Sequence, residues 1–313
     1  MLSFILRRLG AGIVVAFVIS FLAYVLLFFS ATNVARNLLG ENATAEQVAA
    51  KTVELGLDRP LLVRYADWLG SALTGDLGVS WFTNQPVTET LASRIPVTLT
   101  LVVSAIVVTA VFVVVLGILA AVRRGWIDRA IQTAAVIGDA IPGFVIAIIL
   151  VTVFAMTLHL LPATSTISNR ATAGAWFASL LLPVIALVIN AVTNGTQQVR
   201  SAIIKQRESD YVRTLRSRGI SEFEIMAKNV LRSAAPAGLT VLSLQLIGML
   251  GGAVIIEQIF ALPGIGAIAV TSTVQGDVPI VMGVVMFTVI VVIIVNLLVD
   301  LANGWLNPKV RVS

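Results

Sequence analysis

The chain has 313 residues, of which 58% are hydrophobic and only 12% charged. A soluble domain of that length needs far more charge on its surface, so the composition is that of an integral membrane protein. The formal net charge is +5 and there is no cysteine, which excludes disulfides, thiolate metal sites and cysteine nucleophiles.

Met1 to Arg8 is a short basic head, and an apolar run follows from Leu9 to about Ser30. About 20 apolar residues suffice to cross a bilayer. The run is too long for a signal-peptide core and no small-residue cleavage site follows it, so it reads as an uncleaved first transmembrane helix. Asn33 to Arg94 is the longest polar stretch and reads as a small folded module. Thr44 and Gln47 have the spacing of a capping box for a helix that ends at Gly56. A second helix starts near Pro60 and carries Leu61, Leu62, Tyr65, Trp68, Leu69 and Leu73 on one apolar face. Such a face suits the membrane surface or the side of a bundle. Gly75, Gly78, Asn84 and Pro86 then mark a turn-rich segment.

Five further apolar runs lie at about Val97–Val122, Thr133–Leu158, Trp176–Gln198, Gly238–Ala261 and Ile280–Ala302. Six spans put both termini on one side, and the basic residues mark that side as cytosolic. Arg7 and Arg8 lie in the head, Arg123, Arg124 and Arg129 in the second loop, and Lys309 and Arg311 in the tail. The fourth loop adds Arg200, Lys205, Arg207, Arg213, Arg216, Arg218, Lys228 and Arg232, so this side holds fifteen of the 21 Lys and Arg. The single histidine, His159, ends an apolar run and reads as interfacial; a lone His is poor grounds for a metal site.

The centres of the spans carry no Arg, Lys or Asp except Asp139, and Glu257 lies near the outer end of the fifth span. A carboxylate at such depth is costly unless it faces a polar cavity or a partner. Glu257 reads either as lining a translocation path or outer gate, or as an interfacial residue solvated by headgroups. Asp139, followed by Pro142 and Gly143, reads as structural, at a broken or kinked helix. Pro183 is a second candidate kink. Gly248, Gly251 and Gly252 permit close helix approach and argue that the fifth span is central.

Between the fourth and fifth spans lies a polar, basic island, Asp210 to Pro236. Its first part can form a short helix with Tyr211, Val212 and Leu215 on one face and Arg213, Arg216 and Arg218 pointing elsewhere. Gly219 ends that helix, and a second helical run stops at Pro236. An apolar stripe on a short helix beside a membrane fits a docking element for a protein partner; an ordinary basic cytosolic loop is the competing reading. No GxxxxGK[ST] phosphate loop occurs, and neither GxSxG nor HExxH is present. No ladder of intramembrane carboxylates exists to carry protons. The pattern is a pathway without an engine.

The island Asp210-Tyr211-Val212-Arg213-Thr214-Leu215-Arg216-Ser217-Arg218-Gly219 resembles the coupling (EAA) loop of importer-type ABC permeases, specifically the dipeptide/oligopeptide branch. Leu215 replaces that branch's usual Ala, Arg218 its Lys, and Asn229 its His. Phe4–Leu9, Gly56–Pro60, Gly75–Ser80, Arg94–Leu99 and Leu160–Thr164 are similar to pieces of the B-type subunit. So are Glu257, Phe260, Leu262 to Gly266, Asp277, Pro279, Asn296, Leu297, Asp300 and Asn307-Pro308-Lys309. Departures are Ser30-Ala31-Thr32-Asn33 for a Pro-Gly-Asp turn, Asn303 for Tyr, and the Asn-Pro-Lys tail for Asp-Pro-Arg.

The resemblance implies an all-α integral membrane protein with the six-helix type I importer permease fold. It divides into a head and first span (1–32), an extracytoplasmic module (33–95), a five-helix core (96–303) containing the coupling loop 199–236, and a tail (304–313). It implies a plasma-membrane permease subunit, without its own ATPase site, of a binding-protein-dependent importer of di- or oligopeptides. Asp210, Tyr211, Val212, Arg213, Thr214, Leu215, Arg216, Arg218 and Gly219 would couple to a cytosolic ATPase, with Tyr211, Val212 and Leu215 as buried anchors. Glu257, Phe260, Gly251 and Gly252 would line the path or gate. The implied partners are a second, related permease subunit, two ATPase subunits that bind ATP and Mg, an extracytoplasmic binding protein and the bilayer. That protein would dock on the 33–94 module and the loop around Pro263 to Pro279. No catalytic residue, metal or nucleic acid is implied. Glutathione or nickel importers of the same type are alternatives, and an ATP-independent channel or secondary transporter is the rival of a different class.

Overall fold

A computed structural model of the chain describes residues 2–30, 34–123, 125–167 and 172–306. Among them no β-strand occurs, only an isolated antiparallel bridge between Val79 and Pro86. The helices are α1 (Leu2–Ser30), α2 (Val34–Leu39), α3 (Ala45–Glu54), α4 (Leu61–Leu73), α5 (Val87–Val122), α6 (Trp126–Ala140) and α7 (Gly143–Leu150). There follow α8 (Ala173–Arg207), α9 (Asp210–Ser217), α10 (Glu222–Glu224), α11 (Leu231–Ile259), α12 (Ile265–Gln275) and α13 (Val278–Leu306). Wider π turns extend α7 over Val151–Thr157 and join α10 to α11 over Ile225–Val230. The departures at Ala31-Thr32-Asn33, basic residue Arg124, and the tail with Lys309, Arg311 and Asn307-Pro308-Lys309 lie outside the described residues.

Five helices are long and apolar enough to cross a membrane, and six if the bent pair α6 and α7 is one span. Three expectations need correcting, while the break foreseen beside Pro142 and Gly143 is present: the third span turns through 91° between Ala140 and Gly143. Pro142 forces this, since its ring disfavours helical backbone at Ile141, which is extended at φ −99° and ψ 118°. The second span starts at Val87 instead of Val97 and passes through Arg94 and Pro96. Pro236 does not stop the second run of the island; it lies inside α11, where one missing N–H leaves the turns on either side intact. The segment from Pro263 to Pro279, expected as a loop, contains α12.

The chain forms two compact units, residues 2–98 with 263–294, and 99–262 with 295–306. In the first, α1 and α4 meet through aromatic rings. Tyr65 packs edge-on to Phe21 at 5.2 Å and Tyr24 at 5.5 Å, and its hydroxyl shares a 3.0 Å hydrogen bond with Ser20. Each aromatic pair is worth about 0.5–1.5 kcal/mol beyond simple burial. Of the apolar face foreseen on α4, Tyr65, Trp68 and Leu69 join this core, whereas Leu62 and Leu73 are exposed. The Thr44–Gln47 capping box is formed in both directions, at 3.3 and 3.0 Å, and Gly56 closes α3 at φ +64°.

The same unit is pinned by Asp277, just ahead of α13. Its carboxylate accepts the Ser80 hydroxyl at 2.5 Å and the Trp81 amide at 3.2 Å, tying the turn-rich Gly75–Pro86 segment to α13. Burial, the largest influence, pushes this carboxyl up from its ordinary range, while the Ser80 hydroxyl and neighbouring backbone amides pull it back.

In the second unit α8 is the axis, packed by α6, α7 and α11. Leu182, Ala186, Ala191, Gly195, Val199 and Ile203 recur at helical spacing on its buried side. The close approaches fall there: a Cβ on Gly195 would sit 2.5 Å from Val113, one on Gly117 2.8 Å from Val199, and one on Gly138 2.6 Å from Thr193. Small residues serve this purpose in lipid, where intimate packing replaces the hydrophobic drive. The glycines expected to do so behave otherwise. Gly248 and Gly251 have open space around them, and Gly252 makes only an ordinary contact with Leu187.

Candidate coupling helix and membrane cavity

The short helix α9 is built from local rules. Asp210 stands in its first turn and Arg216 in its last, each favourable to the helix dipole. Gly219, at φ +78°, donates to Arg216 O at 2.9 Å, and Ile220 donates to Leu215 O at 3.3 Å. This pair of bonds is a Schellman motif, which only a residue tolerant of positive φ closes without strain. The hydrophobic contact that accompanies such motifs is present, since Leu215 and Ile220 both pack on one buried cluster.

That cluster corrects the reading of the apolar face. Val212 is fully buried among Val199, Ile203, Ile225, Val230 and Ala234, and so is no anchor for a partner. An apolar stripe on so short a helix is closed over by the ends of its own chain's helices. What α9 presents outward is Tyr211 at 38% exposure, with Arg213, Thr214, Arg216 and Arg218. Arg216 is paired with Glu222, which fixes one guanidinium beside the surface.

Two further contacts that sequence patterns did not reveal brace this end. Arg200 on α8 makes a two-pronged ion pair with Asp128 on α6, at 2.7 and 2.6 Å. Arg207 donates to Ala121 O at 2.7 Å, meeting a free carbonyl at the end of α5. The sole hint of the first was an Asp in the opening turn of α6.

Elsewhere in the unit, α7, α8 and α11 line an open cavity of about 360 Å³. Its wall holds three amides, Asn190, Asn194 and Gln245, among apolar residues that include Phe144, Met249 and Ile256. Asn190 crosses to the break, donating to Gly138 O at 3.2 Å and Ile141 O at 3.0 Å. It thereby satisfies carbonyls that the interrupted helix leaves open. Asp139, expected to serve the break, has an exposed side chain that accepts from Asn194 at 2.8 Å. Of the residues proposed for a path, Gly252 lines the cavity and Gly251 is exposed. Glu257 and Phe260 are buried, and Phe260 O accepts from Ser165 N at 2.9 Å.

A membrane bundle with a broken span, a cavity at the break and a polar helix bound to its end is a transport subunit. The family described as "Binding-protein-dependent transport system inner membrane component" matches residues 113–312, and its N-terminal companion matches residues 1–102. The chain belongs to this family of multi-pass inner-membrane permeases, which work with a binding protein and an ATPase. It is 33% identical over 312 residues, 99% of both chains, to a protein named as a peptide transport system permease in Brucella abortus strain 2308. A glutathione transport system permease of Escherichia coli strain K12 is 31% identical over the same share. A chain from the inward-facing MetNI methionine ABC transporter superposes with a TM-score of 0.56 over 70% of this chain and 97% of that one. At 15% identity this likeness concerns the fold alone: the type I importer permease fold.

Proposed function

We propose that the chain is one of two related permease subunits in an ATP-driven, binding-protein-dependent importer of di- and oligopeptides. Both termini and α9 lie on the cytosolic side, where most of the basic residues fall. Two ATPase subunits, which bind the ATP and Mg, engage the outer face of α9 through Tyr211, Arg213, Thr214, Arg216 and Arg218. This chain contributes no ATPase site of its own. The observation that carries the reading is the fusion of α9, through Val212, to the ends of α8 and α11. A force on α9 is thus passed directly to the helices that wall the cavity.

Relatives named for peptide transport support the substrate class, and the glutathione permeases favour a small peptide-like solute as the second reading. The deciding experiment is uptake of a labelled dipeptide by liposomes holding the complete complex and its binding protein. ATP-dependent accumulation that is lost on Gly219→Pro or Leu215→Asp is expected. ATP-dependent uptake of glutathione or nickel alone would retain the machine and replace the substrate. Uptake indifferent to ATP would sink the importer reading in favour of a channel.

A further inference from the structure

We propose that Asp139, at the edge of the cavity by the broken span, forms with Asn190, Asn194 and Gln245 of its wall a subsite that takes a primary ammonium group of the transported solute. The inference rests on the importer reading for its substrate and adds the chemistry by which this chain selects it.

Asp139 lies within the bent pair that counts as a span, yet its side chain is exposed. A carboxyl group within a span is costly unless it faces a polar cavity or a partner. Among the described residues no basic side chain pairs with it; its single partner is the Asn194 amide nitrogen at 2.8 Å. Asn194 lines the cavity, so the carboxylate stands one hydrogen bond from the cavity wall. The break does not need Asp139, because Asn190 already holds Gly138 O and Ile141 O.

The remaining polar groups also accept. Asn190 Oδ1 is buried without a hydrogen-bond partner among the described residues, and Gly143 leaves it room, since a Cβ there would sit 3.2 Å from that oxygen. Leaving such an acceptor unmet is costly unless a donor arrives. The cavity wall carries no charged residue, its other polar side chains being Asn194 and Gln245. An ammonium offers three donors and one positive charge, which matches the Asn190 oxygen in the wall and the carboxylate one hydrogen bond beyond it. The free amino end of a peptide and a lysine side chain both present this group.

The test uses the full complex in liposomes with alanyl-leucine, N-acetyl-alanyl-leucine and N-acetyl-alanyl-lysine. Wild type is expected to prefer the free dipeptide to its acetylated form. Asp139→Asn should reduce that preference about tenfold, and Asp139→Glu should restore part of it. Preference for the acetylated lysine peptide that is likewise lost would identify a side-chain ammonium as the ligand. An unchanged ratio, an equal loss for all three peptides, or failure to assemble with the second permease subunit would each overturn the subsite, the last by assigning Asp139 to subunit pairing. Because the chain has no cysteine, Asp139→Cys gives an independent readout by mass of the isolated chain. A water-soluble thiol reagent should label it in the assembled complex, with protection by alanyl-leucine. Absence of labelling overturns the subsite even if ATP-driven uptake, and with it the importer reading, stands; absence of uptake with protected labelling does the reverse.

Discussion

Single residues set the local tolerances of this molecule. The Asp277 carboxyl titrates above its unfolded value because it is buried, so the folded state disfavours its ionised form. Its unit therefore loses stability as pH rises through the folded value and regains it as pH falls toward the ordinary carboxylate range, about 4. The melting temperature of wild type relative to Asp277→Asn, in detergent, should be higher at pH 4.5 than at pH 7.5; a difference independent of pH would refute this. Gly195 gives a steric counterpart. A methyl there meets Val113 at 2.5 Å, and valine in a helix has one favoured rotamer. Gly195→Ala should cost about 1–3 kcal/mol, and Val113→Ala should recover much of it. Additive effects of the two substitutions would place the strain elsewhere.

Elements show where the sequence was informative. The start and stop of α9, the capping box of α3 and the break after Ala140 were legible, because each depends on residues within about ten positions of one another: Asp210 and Gly219, Thr44 and Gln47, Pro142 and Gly143. The inward turn of Val212 was not, since the same apolar stripe serves a partner or the chain's own core. Nor was the pairing of Arg200 with Asp128 across 72 positions, or the central place of α8, whose small residues look unremarkable beside the glycines of α11. The Arg200 pair is mostly shielded from solvent, at 25% and 15% exposure, so Arg200→Met removes both charge-assisted hydrogen bonds to Asp128. We expect a loss of about 1–3 kcal/mol and fewer solutes carried per ATP hydrolysed. Wild-type coupling in that variant would show that the brace has no part in transmitting motion.

At the scale of the whole molecule, the count of spans was legible as six only because the bent pair was read as one. Hydropathy registers total apolar length and is blind to a right-angled turn. Asn190→Leu tests what holds the turn: with Gly138 O and Ile141 O unmet, the cost is at least about 1–3 kcal/mol, measured as a lower melting temperature in detergent. No change would mean that other groups satisfy the break.

The break also bears on how the chain is made. α6 has 15 residues, and α7 with its π turns runs only from Gly143 to Thr157. Neither reaches the roughly 20 residues that cross a bilayer unaided. The amide that completes them sits on α8, which leaves the ribosome later than both. Two half-length pieces thus depend on a helix made after them to close the carbonyls at their joint, so a chain cut short before Asn190 is expected to hold this bend less firmly.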